Sequence, residues 1–138
     1  MISRVDVKKE GKIVCVSGFC GSGKTTHILE NFISDDTIYI TNEMKMKVED
    51  VRRRISELNP GMSYDNLIIL SSNINTKLMD LVYDVLPLIS DGKPILIMDG
   101  GFTQDKIDFL YKKLHKRIHN LIYSKNINRM HLTYLRSS

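Results

Sequence analysis

Gly18-Phe19-Cys20-Gly21-Ser22-Gly23-Lys24-Thr25 fits the pattern G-x-x-x-x-G-K-[ST] without a gap, and Thr26 follows it. Glycines at this spacing let successive backbone N–H groups turn inward around phosphate oxygens, in conformations that a side chain would forbid. A helix opening near Lys24 aims its positive dipole end at the same oxygens. Lys24 then supplies a mobile charge for β- and γ-phosphates, and the Thr25 hydroxyl a ligand for magnesium. The chemistry implied is capture of the triphosphate of ATP or GTP with Mg2+. A glycine-rich turn with a chance lysine is the competing reading, and the strand-like run before it and helix-like run after it weigh against that. Cys20 fills an unconstrained position of the loop. Cys15 reads as core.

Two carboxylates stand where they would serve a bound triphosphate. Pro94-Ile-Leu-Ile-Met-Asp99 is an apolar strand delivering Asp99 at its carboxyl end, the edge at which ligands sit in open α/β sheets. An aspartate there, beside Thr25, would complete a magnesium site. Glu43 follows the run Thr37 to Thr41 directly, so it projects at the same edge, where a carboxylate can orient an attacking water. A first-turn glutamate that only favours its helix dipole is the bland alternative.

These residues need a scaffold of alternating strands and helices, which argues for an α/β layer with a mostly parallel sheet. Ile13 to Ser17 is a short β-branched run entering the glycine loop, and Ser3 to Val7 would pair with it as a hairpin through Lys8 to Gly11. Thr25 to Ile33 reads as a helix, and Thr37 to Thr41 as a strand. Met44, Val48, Val51, Ile55 and Leu58 form one stripe on a predicted helix from Glu43 to Leu58, which Asn59-Pro60-Gly61 stops. Leu67 to Leu70 reads as an edge strand. Leu78, Leu81, Val82, Val85 and Leu86 mark a helix closed or kinked near Pro87. Gln104 to Tyr123, with Ile107, Leu110, Leu114, Ile118 and Leu121 inward, reads as one long helix, and Met130 to Leu135 as the last strand.

At 138 residues, with 42% apolar and 26% charged residues, the chain reads as one domain, residues 1–138. No apolar run approaches the roughly 20 residues that cross a bilayer, and Met1 to Lys12 lacks the apolar stretch of a secretory signal. Two cysteines make no disulfide framework and have no zinc spacing with histidine, so a reducing cytoplasm is the expected compartment. The net charge of +4 permits polyanion partners without demanding them.

Gly11 to Thr26, then Ile38-Tyr-Ile-Thr-Asn-Glu-Met44, then Ile95 to Asp99 resemble the RecA-type ATPase core, and within it the replicative hexameric helicases of the DnaB type and their KaiC-like relatives. The resemblance implies a catalytic-base role for Glu43, which is followed by Met44 as in that family, and a magnesium role for Asp99. It also implies assembly into an oligomer, or work with a motor partner, in DNA metabolism. It spans roughly Gly11 to the carboxyl end, and the family's additional amino-terminal domain and later strands have no counterpart. The family's glutamine at the tip of the strand after the aspartate is missing from His131 to Arg136, where Arg136 stands about where a family arginine reaches a neighbouring subunit.

The predicted helix 104–123 carries Lys112, Lys113, Lys116 and Arg117 off its apolar stripe, with Lys125 and Arg129 beyond. Such a face would suit DNA phosphates and would equally suit solvent. Two further function classes stay open: a small nucleotide or metabolite kinase, with Arg52, Arg53 and Arg54 as its only arginine cluster, and a nucleotide-binding regulator or loader without hydrolysis. Strand order separates the first two, because RecA-like sheets place another strand between the loop strand and the aspartate strand, whereas in many kinases these are neighbours. The expected fold is a three-layer α/β P-loop NTPase, RecA-like, with a mainly parallel sheet of about five strands. Its inserted strand would be Met130 to Leu135.

Overall fold

Gly11 and Lys12 turn the chain between two antiparallel strands, β1 (Asp6–Glu10) and β2 (Ile13–Gly18), with Gly11 at φ 58. A left-handed residue at the first loop position suits the primed turns that match the strand twist. The computed structural model describes residues 4–89 and 92–127. After β2 come helix α1 (Lys24–Asn31), β3 (Thr37–Asn42), α2 (Val48–Leu58), β4 (Ile68–Ser72) and α3 (Leu78–Val85). A short 3-10 turn, Leu86–Leu88, then leads to β5 (Ile95–Asp99), α4 (Gln104–Leu114) and β6 (Asn120–Asn126). The sheet runs β1-β2-β6-β5-β3-β4, parallel at every junction except the β1–β2 hairpin.

Strand alternation divides the core into two layers. Val14, Val16, Tyr39, Ile69, Ile97 and Ile122 face α1 and α2, where Ile28, Leu29, Val51 and Ile55 are buried against them. Ile38, Ile40, Leu96, Met98 and Leu121 face α3 and α4, and meet Leu81, Val82, Val85, Ile107, Leu110 and Leu114. Strands buried on both faces read as continuous apolar runs, as in Ile95 to Met98. No helix among the described residues is long and apolar enough to cross a membrane.

Several expectations need correction. Among the described residues the sheet has six strands, against about five expected. The hairpin forms, but its first strand is Asp6–Glu10 rather than Ser3 to Val7. The long helix 104–123 stops at Leu114, and its end from Asn120 onward is a strand. Lys12, from the hairpin turn, donates its ammonium to the carbonyls of His115 at 2.7 Å and Ile118 at 3.3 Å, satisfying groups that another helical turn would have occupied. The strand inserted between β2 and β5 is therefore Asn120–Asn126 and not Met130 to Leu135, which lies outside the described residues together with Arg129 and Arg136. Glu43 to Lys47 is a turn rather than the start of α2. The N–H groups of Lys45 and Met46 both bond to the Asn42 carbonyl, and Met44 is 72% exposed instead of joining the apolar stripe.

Candidate functional site

The glycine-rich run leaves the tip of β2 and enters α1 at Lys24. Gly18 is buried, and a Cβ there would lie 2.4 Å from Ser22 Oγ and 2.8 Å from the Arg4 carbonyl, so no larger residue fits the start of the loop. Gly21 (φ 77) and Gly23 (φ 94) take left-handed conformations, and a Cβ on either would meet nothing within 4 Å. The loop is thus pressed against the chain at one end and open in the middle. Ser22 N–H donates to the Phe19 carbonyl at 3.0 Å, while its hydroxyl is buried without a hydrogen-bond partner. Lys24 folds back over the loop, its ammonium donating to the carbonyls of Phe19 at 2.9 Å and Gly18 at 3.2 Å. Burial pushes the Lys24 pKa below the ordinary lysine value, against the opposing influence of Cys20 and Asp99.

Asp99 ends β5 on the same side as Ile95 and Ile97, which turns it toward α1. It is buried and accepts a 2.5 Å hydrogen bond from the Tyr39 hydroxyl. Burial, then the Asp99 charge, raises the Tyr39 pKa well above the ordinary phenol value, so Tyr39 stays a donor. The neighbouring strand tips are tied through Gly100. Its N–H donates to Ser124 Oγ on β6 at 3.1 Å, and its carbonyl accepts from Asn42 Nδ2 on β3 at 3.0 Å.

Between these elements lies a cleft of about 380 Å³. Of the predicted loop residues, Cys20, Gly21, Gly23, Lys24, Thr25 and Thr26 line it, together with Asp99. Gly18, Phe19 and Ser22 do not line it; the first two anchor Lys24 through their carbonyls. Thr25 and Asp99, the two oxygen donors expected around magnesium, share this cleft. Among the described residues no cluster of three or more His, Cys, Asp or Glu forms a cage for a metal. A hydroxyl and a carboxylate suit a hard cation held mainly through phosphate and water, so the donor set fits Mg2+.

Glu43 stands at the carboxyl edge of β3, but it does not line the cleft. Its N–H donates to the Ser72 carbonyl at 2.8 Å, and its exposed carboxylate accepts from Asn73 Nδ2 at 3.4 Å. Six described residues that sequence reasoning did not assign to the site also line the cleft: Lys45, Arg54, Gly100, Gly101, Ser124 and Asn126. Ser124 and Asn126 were hidden because the first half of their strand, up to Tyr123, reads as the end of a helix. Arg54 was visible only as one of three consecutive arginines, and its helix face emerges once α2 is placed beside α1. With Lys24, Lys45 and Arg54 against Asp99 alone, the charged lining is cationic, as a polyanion requires. The strand that follows Asp99 carries Ser124 and Asn126 into the cleft, and no glutamine. The basic residues Lys112, Lys113, Lys116, Arg117 and Lys125 are exposed, but they lie on α4, the turn after it and β6 rather than along one helix. No protein-family model, curated protein or solved structure matches the chain.

Proposed function

We propose that the chain is a Mg2+-dependent P-loop ATPase with a RecA-type core. The observation that carries this reading is a single concavity lined by the loop glycines, Lys24, Thr25 and Asp99. The position of β6 between β2 and β5 supports a RecA-type core over a kinase in which those strands would be neighbours. Backbone N–H groups of the loop and Lys24 would bind the β- and γ-phosphates, Lys24 exchanging its two carbonyl partners for phosphate oxygens. Mg2+, held by Thr25 and Asp99, would neutralise charge on the outer phosphates. Tyr39 fixes the Asp99 carboxylate in place. The reaction is in-line attack of water on the γ-phosphorus. An O–P bond forms, the bond to the β–γ bridging oxygen breaks, ADP departs, and the Glu43 carboxylate, once turned from Asn73 toward the cleft, would take the water's proton. Assembly into an oligomer or with a motor partner, DNA contact through the exposed lysines and arginines, and a cytoplasmic location belong to the same proposal.

Calorimetric titration with Mg-ATP and Mg-GTP tests the binding step, and phosphate release with and without single-stranded DNA tests turnover. Lys24→Ala should abolish binding, while Glu43→Gln should bind normally and not hydrolyse. Normal hydrolysis by the Glu43 variant would remove Glu43 from the chemistry, which matters because its carboxylate is turned to Asn73. A kinase is the second reading, favoured by Arg54 in the cleft and by a neighbouring cleft of about 210 Å³ that shares Gly101 with the first. ATP consumption that requires an added small-molecule acceptor would select it.

A further inference from the structure

Arg52, Arg53 and Arg54 are consecutive on α2, so they point about 100° apart around the helix and meet different surroundings. Arg52 and Arg53 are exposed. Arg53 is spent on the helix surface, 3.2 Å from Asp50 and 3.9 Å from Glu57. Arg54 is half-buried and lines the phosphate-loop cleft, where it donates Nη2 to Thr26 Oγ1 at 2.5 Å. No carboxylate among the described residues forms an ion pair with it. Lys24 and Lys45 line the same cleft, so two further positive charges add to the cost of placing Arg54 there. Asp99 is the one carboxylate among the described residues lining this cleft and already accepts from Tyr39. The three cations are therefore left short of countercharge that an anion would supply, and a guanidinium has five donors, of which the Thr26 hydroxyl takes one. The charge of Arg54 is also felt at the Tyr39 hydroxyl that holds Asp99. Arg54, its partner Thr26 and Asp99 thus line one cleft, where the outer phosphates of a metal-bound triphosphate would sit.

We infer that Arg54 is a ligand of the terminal phosphate, supplied by the same chain that carries the phosphate loop. The inference rests on the nucleotide-binding reading above and adds a group that distinguishes triphosphate from diphosphate. Arg54 is presented from a rigid helix, with its fork steadied by Thr26 before the nucleotide arrives. A planar fork of this kind matches two phosphate oxygens at once, which a lysine cannot do.

The test is calorimetric titration of the full chain with Mg-ADP and with a non-hydrolysable Mg-ATP analogue, for the wild type, Arg54→Ala, Arg54→Gln and Arg54→Lys. Arg54→Ala should weaken the triphosphate analogue by about 10- to 100-fold, the span of a charge-assisted hydrogen bond, and leave ADP unchanged. Arg54→Gln keeps an N–H donor for Thr26 without the charge, and should lose the same preference; it also carries the test if the alanine variant does not fold. Arg54→Lys should recover part of the preference. Equal losses for both nucleotides in the alanine and glutamine variants would make Arg54 a brace for Thr26 and α1, and overturn the inference. So would unchanged triphosphate affinity. A wild-type chain that binds neither nucleotide would instead overturn the nucleotide reading itself.

Discussion

At Gly100, as at Gly18, a single methyl group would disturb the candidate site. Gly100 sits at φ 115 after Asp99, and a Cβ there would lie 2.7 Å from Asn42 Cβ and 3.2 Å from the Asn42 backbone nitrogen. Those atoms belong to β3 and cannot swing aside as the end of a long side chain can. Gly100→Ala therefore carries a backbone penalty of about 1–3 kcal/mol and an overpacking penalty of about 1–3 kcal/mol. The sum, about 2–6 kcal/mol, is a large part of the 5–15 kcal/mol typical of a domain. Gly101 is an internal control, since it too has a positive φ of 79, but its Cβ would meet nothing within 4 Å. Gly101→Ala should lose only about 1–2 kcal/mol, the cost of a left-handed alanine. Urea unfolding of the two variants, followed by far-UV circular dichroism, compares them: at equal slope the difference between their midpoints reports the clash with Asn42 together with the greater backbone penalty at φ 115. Equal destabilisation of the two would refute the close approach of the β3 and β5 tips, and with it the placement of Asp99 beside the loop.

Tyr39→Phe removes the donor to a buried carboxylate and should cost about 1–3 kcal/mol of stability, read by the same urea series. A loss indistinguishable from zero would mean that water reaches Asp99 in solution. Asp35 accepts from both the backbone and the side-chain N–H of Asn66, which hold its pKa below the ordinary carboxylate value. Its contribution is thus present above the unfolded-state pKa and lost as pH falls through the lower folded value. Asn66→Ala should remove the side-chain part of the shift, seen as a rise in the Asp35 pKa by NMR titration. Tyr123 donates toward Cys15 and is pushed up to about 12, so its phenol should not ionise in an ultraviolet titration near pH 10. Cys15→Ala should bring the transition down.

The loop strand, the loop and α1 were legible because their signals are local: β-branched residues, then glycines, then Lys24 and a helical stripe. Asp99 was legible because an apolar run cannot continue through a carboxylate, and strand alternation then decides which layer it faces. The stretch from Gln104 to Asn126 misled because Ile118 and Leu121 keep the helical spacing set by Ile107, Leu110 and Leu114, with no Gly or Pro between them. The stop comes from Lys12, whose ammonium reaches the carbonyls at the end of α4 from 103 positions away, and no window along the chain contains it. Met44 shows a similar limit. Its spacing from Val48 fits a helix, but the Asn42 carbonyl collects two N–H groups in a turn, and Thr41 Oγ1 bonds to the Met46 carbonyl to hold it. Arg54 could not be singled out from Arg52 and Arg53 until the face of α2 against α1 was known.

The middle of the sheet is the last described element along the chain. Until Asn120 to Asn126 has left the ribosome, β2 and β5 have no partner on their facing edges, and the tip that carries Ser124 and Asn126 does not exist. A nascent chain halted before that point holds two separate ladders, one around β2 and one around β3, β4 and β5, with raw edges toward each other. Competence to bind the proposed nucleotide should therefore appear abruptly during synthesis, with the last described strand closing the gap like a keystone, and not grow in proportion to length.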